Sequence, residues 1–316
     1  MHGTSTIAVC GATGLQGGAV ARRLMSAGYR VRALTRRPES EASRALLALG
    51  AEPTAADLND TASLKAALAG AQGVFSVQDF WEHGYDREVE QGANVIRAAV
   101  ASGVEHLVYA SVGGVDRTAG LGIRHFESKA AIEQLLRQAP LRWTIFRPVT
   151  FLENFTMDAA LQRLFRQGVV AFPYPGDQPF QLLALDDEAD LVCAAFRNPS
   201  AFAGMVLEIA SDTRRLSDVA RAIGDAAGLT VQFRETQLDA FADHVARVSA
   251  AGLTARSKIG PSLIPQLSWN RSARGGWAAD LETLRALHPG LRTVEAWAAG
   301  VDWAAARTRW ATGDAA

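Results

Sequence analysis

Three groups of residues stand out for the chemistry their types and spacing allow. The first is the run Ile7-Ala8-Val9-Cys10-Gly11-Ala12-Thr13-Gly14-Leu15-Gln16-Gly17-Gly18, an apolar strand passing straight into glycines and then a helical pattern. Gly11 and Gly14 permit a tight turn and let the backbone approach a pyrophosphate closely, with Ala12 and Thr13 between them. The helix opening at Leu15 and Gln16 points unpaired N–H groups and its positive dipole end at the anion. Gly17 lets that helix lie close on the strand. The spacing G-x-x-G-x-x-G, set between strand and helix, predicts a dinucleotide phosphate site.

The second group closes the next strand. Val31-Arg32-Ala33-Leu34-Thr35-Arg36-Arg37 lacks the acidic residue that, about 20 residues past such a loop, accepts hydrogen bonds from a ribose 2′-hydroxyl. It offers two guanidinium forks instead, which suit a 2′-phosphate. NADP(H) is therefore expected over NAD(H); the alternative is that both arginines are solvated surface residues ahead of Pro38. The third group is Ser111, His125 and Lys129. Ser111 ends a candidate strand, where open α/β sheets bind ligands, and it also suits a simple strand cap. His125 and Lys129, four residues apart, share one helical face. On the residues alone, His125 reads as a helix-opening residue and Lys129 as an exposed cation.

Positioning these groups requires alternating strands and helices, and the first 150 residues supply them. Strands are expected at Thr6–Cys10, Arg30–Leu34, Glu52–Ala55, Gly73–Val77, His106–Ala110 and Trp143–Phe146. Helices are expected at Leu15–Ala27, Ser40–Leu49, Thr61–Ala69, Glu88–Ser102 and Ser128–Gln138, where apolar residues recur at three and four. Right-handed crossovers make this an α/β protein with a doubly wound parallel sheet of Rossmann type over residues 1–150. Residues 151–316 read as a smaller C-terminal α+β substrate or partner lobe, interleaved with the first. That half holds helices at Met157–Arg166, after Asp186, at Leu216–Ala227 and at Leu238–Ala251, a Pro/Gly-rich stretch at Pro173–Pro179 and a strand at Met205–Ile209. Trp269, Trp277, Trp297, Trp303 and Trp310 crowd its end. Val294, Trp297 and Val301 fit one helical face, so packing is favoured over pocket there.

Bulk properties narrow the function. The chain has 316 residues, 48% hydrophobic and 21% charged, with a net charge of −1, the balance of an ordinary globular protein. No basic footprint for nucleic acid shows. Neither a signal pattern nor a long apolar run occurs, so a cytoplasmic protein without a membrane span is expected. Cys10 and Cys193, in a predicted strand and helix, read as small buried hydrophobes, and no third ligand at zinc-like spacing accompanies them.

The segment Gly11-Ala12-Thr13-Gly14-Leu15-Gln16-Gly17-Gly18 resembles the opening of the NmrA-like family. These are atypical short-chain dehydrogenases/reductases related to isoflavone-reductase-like and triphenylmethane-reductase-like enzymes. Asp79-Phe80-Trp81-Glu82, Tyr109-Ala110-Ser111, His125-Phe126-Glu127-Ser128-Lys129, Arg147-Pro148 and Glu153-Asn154-Phe155 resemble it in order and spacing, over roughly residues 5–200. The resemblance implies an NADP(H) cofactor with Arg36 on the 2′-phosphate, Asp57 and Leu58 beside the adenine, and further contacts at Val77, Asp79, Phe151 and Asn154. It also sets His125-x-x-x-Lys129 where ordinary members of the wider superfamily carry Tyr-x-x-x-Lys, which implies Lys129 as a ligand of the nicotinamide ribose, His125 as a general acid in place of the phenol, and Ser111 as the group that polarises a substrate carbonyl.

Two functions remain open at this point. One is an NADPH-dependent reductase passing hydride to a quinone-like or conjugated aromatic acceptor, with Phe80, Trp81, Phe151 and Phe155 as apolar walls. Such chemistry tolerates the loss of the tyrosine if the acceptor is cationic or takes its proton from solvent. The other is a non-catalytic NADP(H) sensor that regulates a protein partner. A homodimer is compatible with either. A sugar epimerase or dehydratase is disfavoured, because those keep Tyr-x-x-x-Lys.

Overall fold

The computed structural model describes residues 5–254, 258–273 and 275–312. Strands β1 (Thr6–Val9), β2 (Arg30–Thr35), β3 (Glu52–Ala55), β4 (Gly73–Ser76), β5 (His106–Ala110) and β6 (Arg142–Pro148) alternate with α1 (Leu15–Ser26), α2 (Glu41–Ala48), α3 (Thr61–Leu68), α4 (Phe80–Ala101) and α5 (Arg124–Arg137). The chain continues through β7 (Thr150–Phe151), α6 (Asp158–Gln167), β8 (Val169–Phe172), β9 (Pro179–Leu183), α7 (Leu185–Arg197), α8 (Pro199–Phe202) and β10 (Val206–Ile209). Then come β11 (Asp212–Arg215), α9 (Leu216–Ala227), β12 (Gln232–Glu235) and α10 (Leu238–Ala250), followed by α11 (Leu263–Asn270), α12 (Leu281–Leu287), α13 (Val294–Gly300) and α14 (Trp303–Thr312). Met1–Pro148 with Glu188–Glu208 form one compact unit, and Val149–Asp187 with Ile209–Ala316 form another.

A seven-stranded sheet in the order β10-β6-β5-β4-β1-β2-β3 organises the first unit. The pairs from β3 to β6 are parallel, with Ile7 opposite both Val31 and Gly73. β10 is parallel too, since Ile145 N bonds Met205 O and Val149 N bonds Ile209 O, an equal advance along both strands. The residues of β1, β4 and β5 are all buried, as strands covered on both faces must be. Leu64, Val74, Val95, Leu107, Ile132, Leu136 and Ile145 form the core against them, each such side chain contributing about 1.5–3 kcal/mol when withdrawn from water.

In the second unit, β11-β9-β7 make a small sheet and β12-β8 a parallel pair. Leu161, Leu182, Leu216, Ile223, Trp297 and Trp303 share its core. Trp297 and Trp303 stand edge to face with centroids 6.3 Å apart, so the aromatic tail packs there as its helical spacing suggests.

Three boundaries differ from the sequence pattern. The strand at Met205–Ile209, placed by its position in the C-terminal lobe, joins the main sheet beside β6. Helix α4 begins at Phe80 rather than Glu88, because the Asp79 carboxylate caps it by accepting from Trp81 N at 3.0 Å. Its first turn is set off from the rest by Gly84, whose φ of 72° only glycine adopts freely. Helix α5 starts at Arg124 rather than Ser128, which brings His125 and Lys129 onto one continuous helix.

Candidate functional site

The phosphate loop lies where β1 ends, at the point where the strand order reverses between β1 and β4. Gly11 has φ 62°, and its carbonyl accepts from Gly14 N at 2.9 Å, closing the turn. A β-carbon on Gly17 would lie 2.3 Å from Gly11 O and 2.6 Å from Cys10 O, so only glycine allows α1 to sit this close. Gly14 caps α1 with extended backbone, no side-chain cap bond, and no acidic residue in the first turn. Gly11, Thr13, Gly14 and Leu15 are exposed, whereas Ala12 is buried. A glycine-lined turn beneath an uncapped helix start fits a pyrophosphate. The side chain of Gln16 turns aside, donating to Glu188 Oε1 at 2.8 Å. Val77 Cγ1 is the nearest atom to a notional Gly11 β-carbon, at 3.1 Å, so Val77 floors the loop. Burial pushes the Cys10 thiol up to about 12 and keeps it neutral.

Arg36, at the end of β2, is exposed and donates to Glu82 Oε1 at 3.0 Å. Asp57 accepts from Asn59 N at 2.9 Å and from Asn59 Nδ2 at 2.8 Å. Leu58 packs on the core, and its carbonyl accepts from Asn94 Nδ2. Asp79 is the α4 cap. These residues cluster along the ends of β2, β3 and β4.

His125 is buried on α5, its ring 5.0 Å from that of Trp81 and 5.7 Å from that of Phe80. One turn on, Lys129 Nζ donates to Glu88 Oε1 at 2.6 Å. Glu88 is sealed from solvent, and its second oxygen takes the Ser128 hydroxyl. Ser111 lies elsewhere in chemical terms: its hydroxyl donates to Glu133 Oε1 at 2.6 Å, and the same carboxylate is gripped by Arg147. Its proton is thus spent inside the protein. Tyr109, at the end of β5, is fully buried, and its hydroxyl has no hydrogen-bond partner among the described residues. Burial, then the charges of Glu88 and Glu133, holds that phenol well above the ordinary tyrosine range. In the second unit Phe151 is half-buried in β7, and Asn154 is exposed on the following 3-10 turn. Phe155 is buried there with its ring 6.0 Å from Phe172, which makes it core in that unit.

Glu82, Glu88, Glu133 and Arg147 escaped the reading of functional residues from sequence. Glu88 had a signal: with Gly92, Val95 and Ala99 it falls on the buried face of α4, and a carboxylate in an apolar stripe needs a partner.

Sheet order, glycine turn and open helix start together define a Rossmann-like fold of the dinucleotide-binding kind. The sequence profile of the NmrA-like family matches residues 3–256. The chain belongs to that family. The NmrA-like family domain-containing oxidoreductase FrzB of a Cladobotryum species is 34% identical over 241 residues, 68% of this chain and 71% of that one. Among solved structures, the Escherichia coli NADPH-dependent quinone oxidoreductase QOR2 complexed with NADPH is 25% identical. Its TM-score is 0.69, covering 92% of this chain and 98% of that one. NmrA, a negative transcriptional regulator in complex with NAD, is 18% identical with a TM-score of 0.71 over 98% of this chain and 99% of that one. No helix among the described residues is long and apolar enough to cross a membrane.

Proposed function

We propose that this protein is an NADPH-dependent reductase that delivers hydride to a quinone-like or conjugated aromatic acceptor. The observation that carries the reading is the Gly11–Gly17 cradle, where a β-carbon on Gly17 would strike the Gly11 carbonyl. The first-turn amides of α1 take the pyrophosphate, Arg36 the 2′-phosphate, and Lys129 the nicotinamide ribose. Lys129 suits that role because, among the described residues, only one of its three N–H donors is engaged, by Glu88. A bound NADPH supplies a hydride and no proton.

The protein's own contribution is then positioning and exclusion of water. His125 lies among Phe80, Trp81 and Phe126, an apolar wall suited to a flat ring. Ser111 is assigned no part, since its hydroxyl serves Glu133. The oxidoreductase names of the relatives and the quinone chemistry of QOR2 support this class of reaction. The regulator NmrA, together with the absence of a phenol at position 125, favours a second reading as a dinucleotide sensor.

Titration with NADPH and NADH, followed by a panel of quinones and cationic dyes, separates the two. Tight NADPH binding with acceptor-dependent oxidation is expected. Binding without oxidation of any acceptor turns the assignment to a sensor, and failure to bind either nucleotide overturns both. Arg36→Ala should weaken NADPH about tenfold more than NADH, the loss of one charge-assisted contact of about 1.4 kcal/mol. Equal losses would remove Arg36 from the 2′-phosphate.

A further inference from the structure

We propose that Glu82 sets the dinucleotide preference by holding Arg36, so that a 2′-phosphate must displace a carboxylate to be read. The inference rests on the assignment of Arg36 to the 2′-phosphate. Arg36 Nη2 lies 3.0 Å from Glu82 Oε1, and no other side-chain partner of Arg36 is found among the described residues. The two come from different elements, the end of β2 and the first turn of α4, and meet over the edge where the adenosine ribose would lie. Both side chains are exposed, at 57% and 42%, so the exchange needs no rearrangement of the core.

A carboxylate and a phosphate compete for the same guanidinium fork, and two anions on one cation repel each other. NADH presents a neutral hydroxyl there, which can donate to Glu82 while Arg36 stays paired. Glu82 therefore opposes NADPH and tolerates NADH. The preference of the natural protein is narrower than Arg36 alone would produce. The backbone that carries Glu82 is fixed, since Asp79 caps the turn by accepting from Trp81 N at 3.0 Å. The fold thus sets where Glu82 starts, in the first turn of α4 and within reach of Arg36.

The test is calorimetric titration of NADPH and NADH into the full chain, its Glu82→Gln and Arg36→Ala variants, and the double variant. Glu82→Gln should tighten NADPH about fivefold at low salt, the size expected for an exposed pair plus a screened repulsion, and leave NADH unchanged or weaker. In the Arg36→Ala background the same substitution should change the NADPH:NADH ratio by less than twofold. A ratio unmoved by Glu82→Gln overturns the proposal, as does an equal gain in both backgrounds, which would mean simple repulsion without exchange. If Arg36→Ala itself leaves the ratio intact, the assignment of Arg36 has failed and the inference falls with it. If Arg36→Ala collapses the ratio while Glu82→Gln does nothing, only the role of Glu82 is lost.

Discussion

Two buried carboxylates, Glu88 on α4 and Glu133 on α5, each take a serine hydroxyl and cationic partners, one lysine for Glu88 and Arg147 with Arg137 for Glu133, and use them to different ends. Glu133 receives Ser111 Oγ at 2.6 Å and the Arg147 fork, with Nε at 2.9 Å and Nη2 at 2.8 Å. The remaining arm of Arg147 is committed to Asp116 at 2.7 Å. All three nitrogens of that guanidinium donate to carboxylates, so the centre is closed. Glu88 receives Ser128 and Lys129, and the ammonium keeps donors in hand on a side chain that is 14% exposed. A planar fork completes a structure, whereas a point charge on a flexible stem can serve a carboxylate and a ligand together. That difference separates a closed structural clamp from a cation with donors left over, as the ribose ligand proposed above requires.

The contrast breaks most visibly at Arg147. Arg147→Met should cost about 3.5 kcal/mol, because it strips both fork bonds from buried Glu133 and leaves only the half-exposed Arg137, 3.2 Å away, as its counter-ion. Adding Glu133→Gln should restore most of the loss. Urea unfolding measures both, and a single variant as stable as the natural protein would show that the clamp does not hold the fold. Lys129→Ala should cost somewhat less, about 3 kcal/mol, since the exposure of Lys129 lets water reach Glu88. It should also weaken NADPH about tenfold, a loss of about 1.4 kcal/mol. The pairing with Glu88→Gln is the decisive arm: stability should return and affinity should not. Recovery of both would reduce Lys129 to a partner of Glu88.

What could be read in the sequence, and what could not, divides along the same line. The glycine turn after β1 was legible because its demand is local. A β-carbon at Gly17 strikes backbone of residues close by in the chain, so the requirement is written as a glycine at a fixed spacing. The doubly wound parallel sheet followed from alternating patterns and the handedness of crossovers, but its edge strand β10 did not. Partners across elements were not legible: Lys129 stood out, but Glu88 lies 41 residues before it and Arg147 reaches Glu133 over 14. Ser111 was attractive because it ends a central strand, and only the position of Glu133 shows where its proton goes. The first turn of α4 was hidden for another reason. Gly84 interrupts the helical period, so the pattern announces the helix at Glu88 and misses the turn that carries Glu82.

A third buried titratable group sharpens the comparison because it has no counter-ion. His106 on β5 is 2% exposed, its Nε2 2.8 Å from Thr144 Oγ1, whose own proton goes to the Phe202 carbonyl. The imidazole therefore donates and stays neutral. Burial, with the charge of Arg142 adding to it, lowers its pKa from 6.5 to about 4. Because the folded value lies below the unfolded one, the unfolded chain takes up the proton first. Stability from this group is complete above pH 6.5 and is lost as pH falls from there toward 4, reaching a loss of about 2 kcal/mol at pH 5. His106→Gln keeps a donor for Thr144 without the titration. Denaturation at pH 7.5 and pH 5 should show the natural protein losing about 2 kcal/mol more than the variant, and equal losses would place the acid sensitivity elsewhere.

The smallest effects lie in the two serines, and they decide whether the centres differ in function or only in their cation. Each hydroxyl donates to a buried carboxylate, so Ser111→Ala and Ser128→Ala should each cost about 1.5 kcal/mol of stability. Their functional consequences should diverge. Ser111→Ala loosens a carboxylate that Arg147 still holds by two bonds, so NADPH affinity and turnover should stay within about twofold. Ser128→Ala frees one oxygen of Glu88, whose only other side-chain partner among the described residues is Lys129, and the lysine should be drawn inward to serve both oxygens. NADPH should then weaken about threefold, roughly 0.6 kcal/mol. A tenfold fall in turnover for Ser111→Ala at unchanged KM would return that hydroxyl to the reacting carbonyl. Equal, negligible effects of both substitutions on NADPH would mean that the donors left on Lys129 do not face the cofactor.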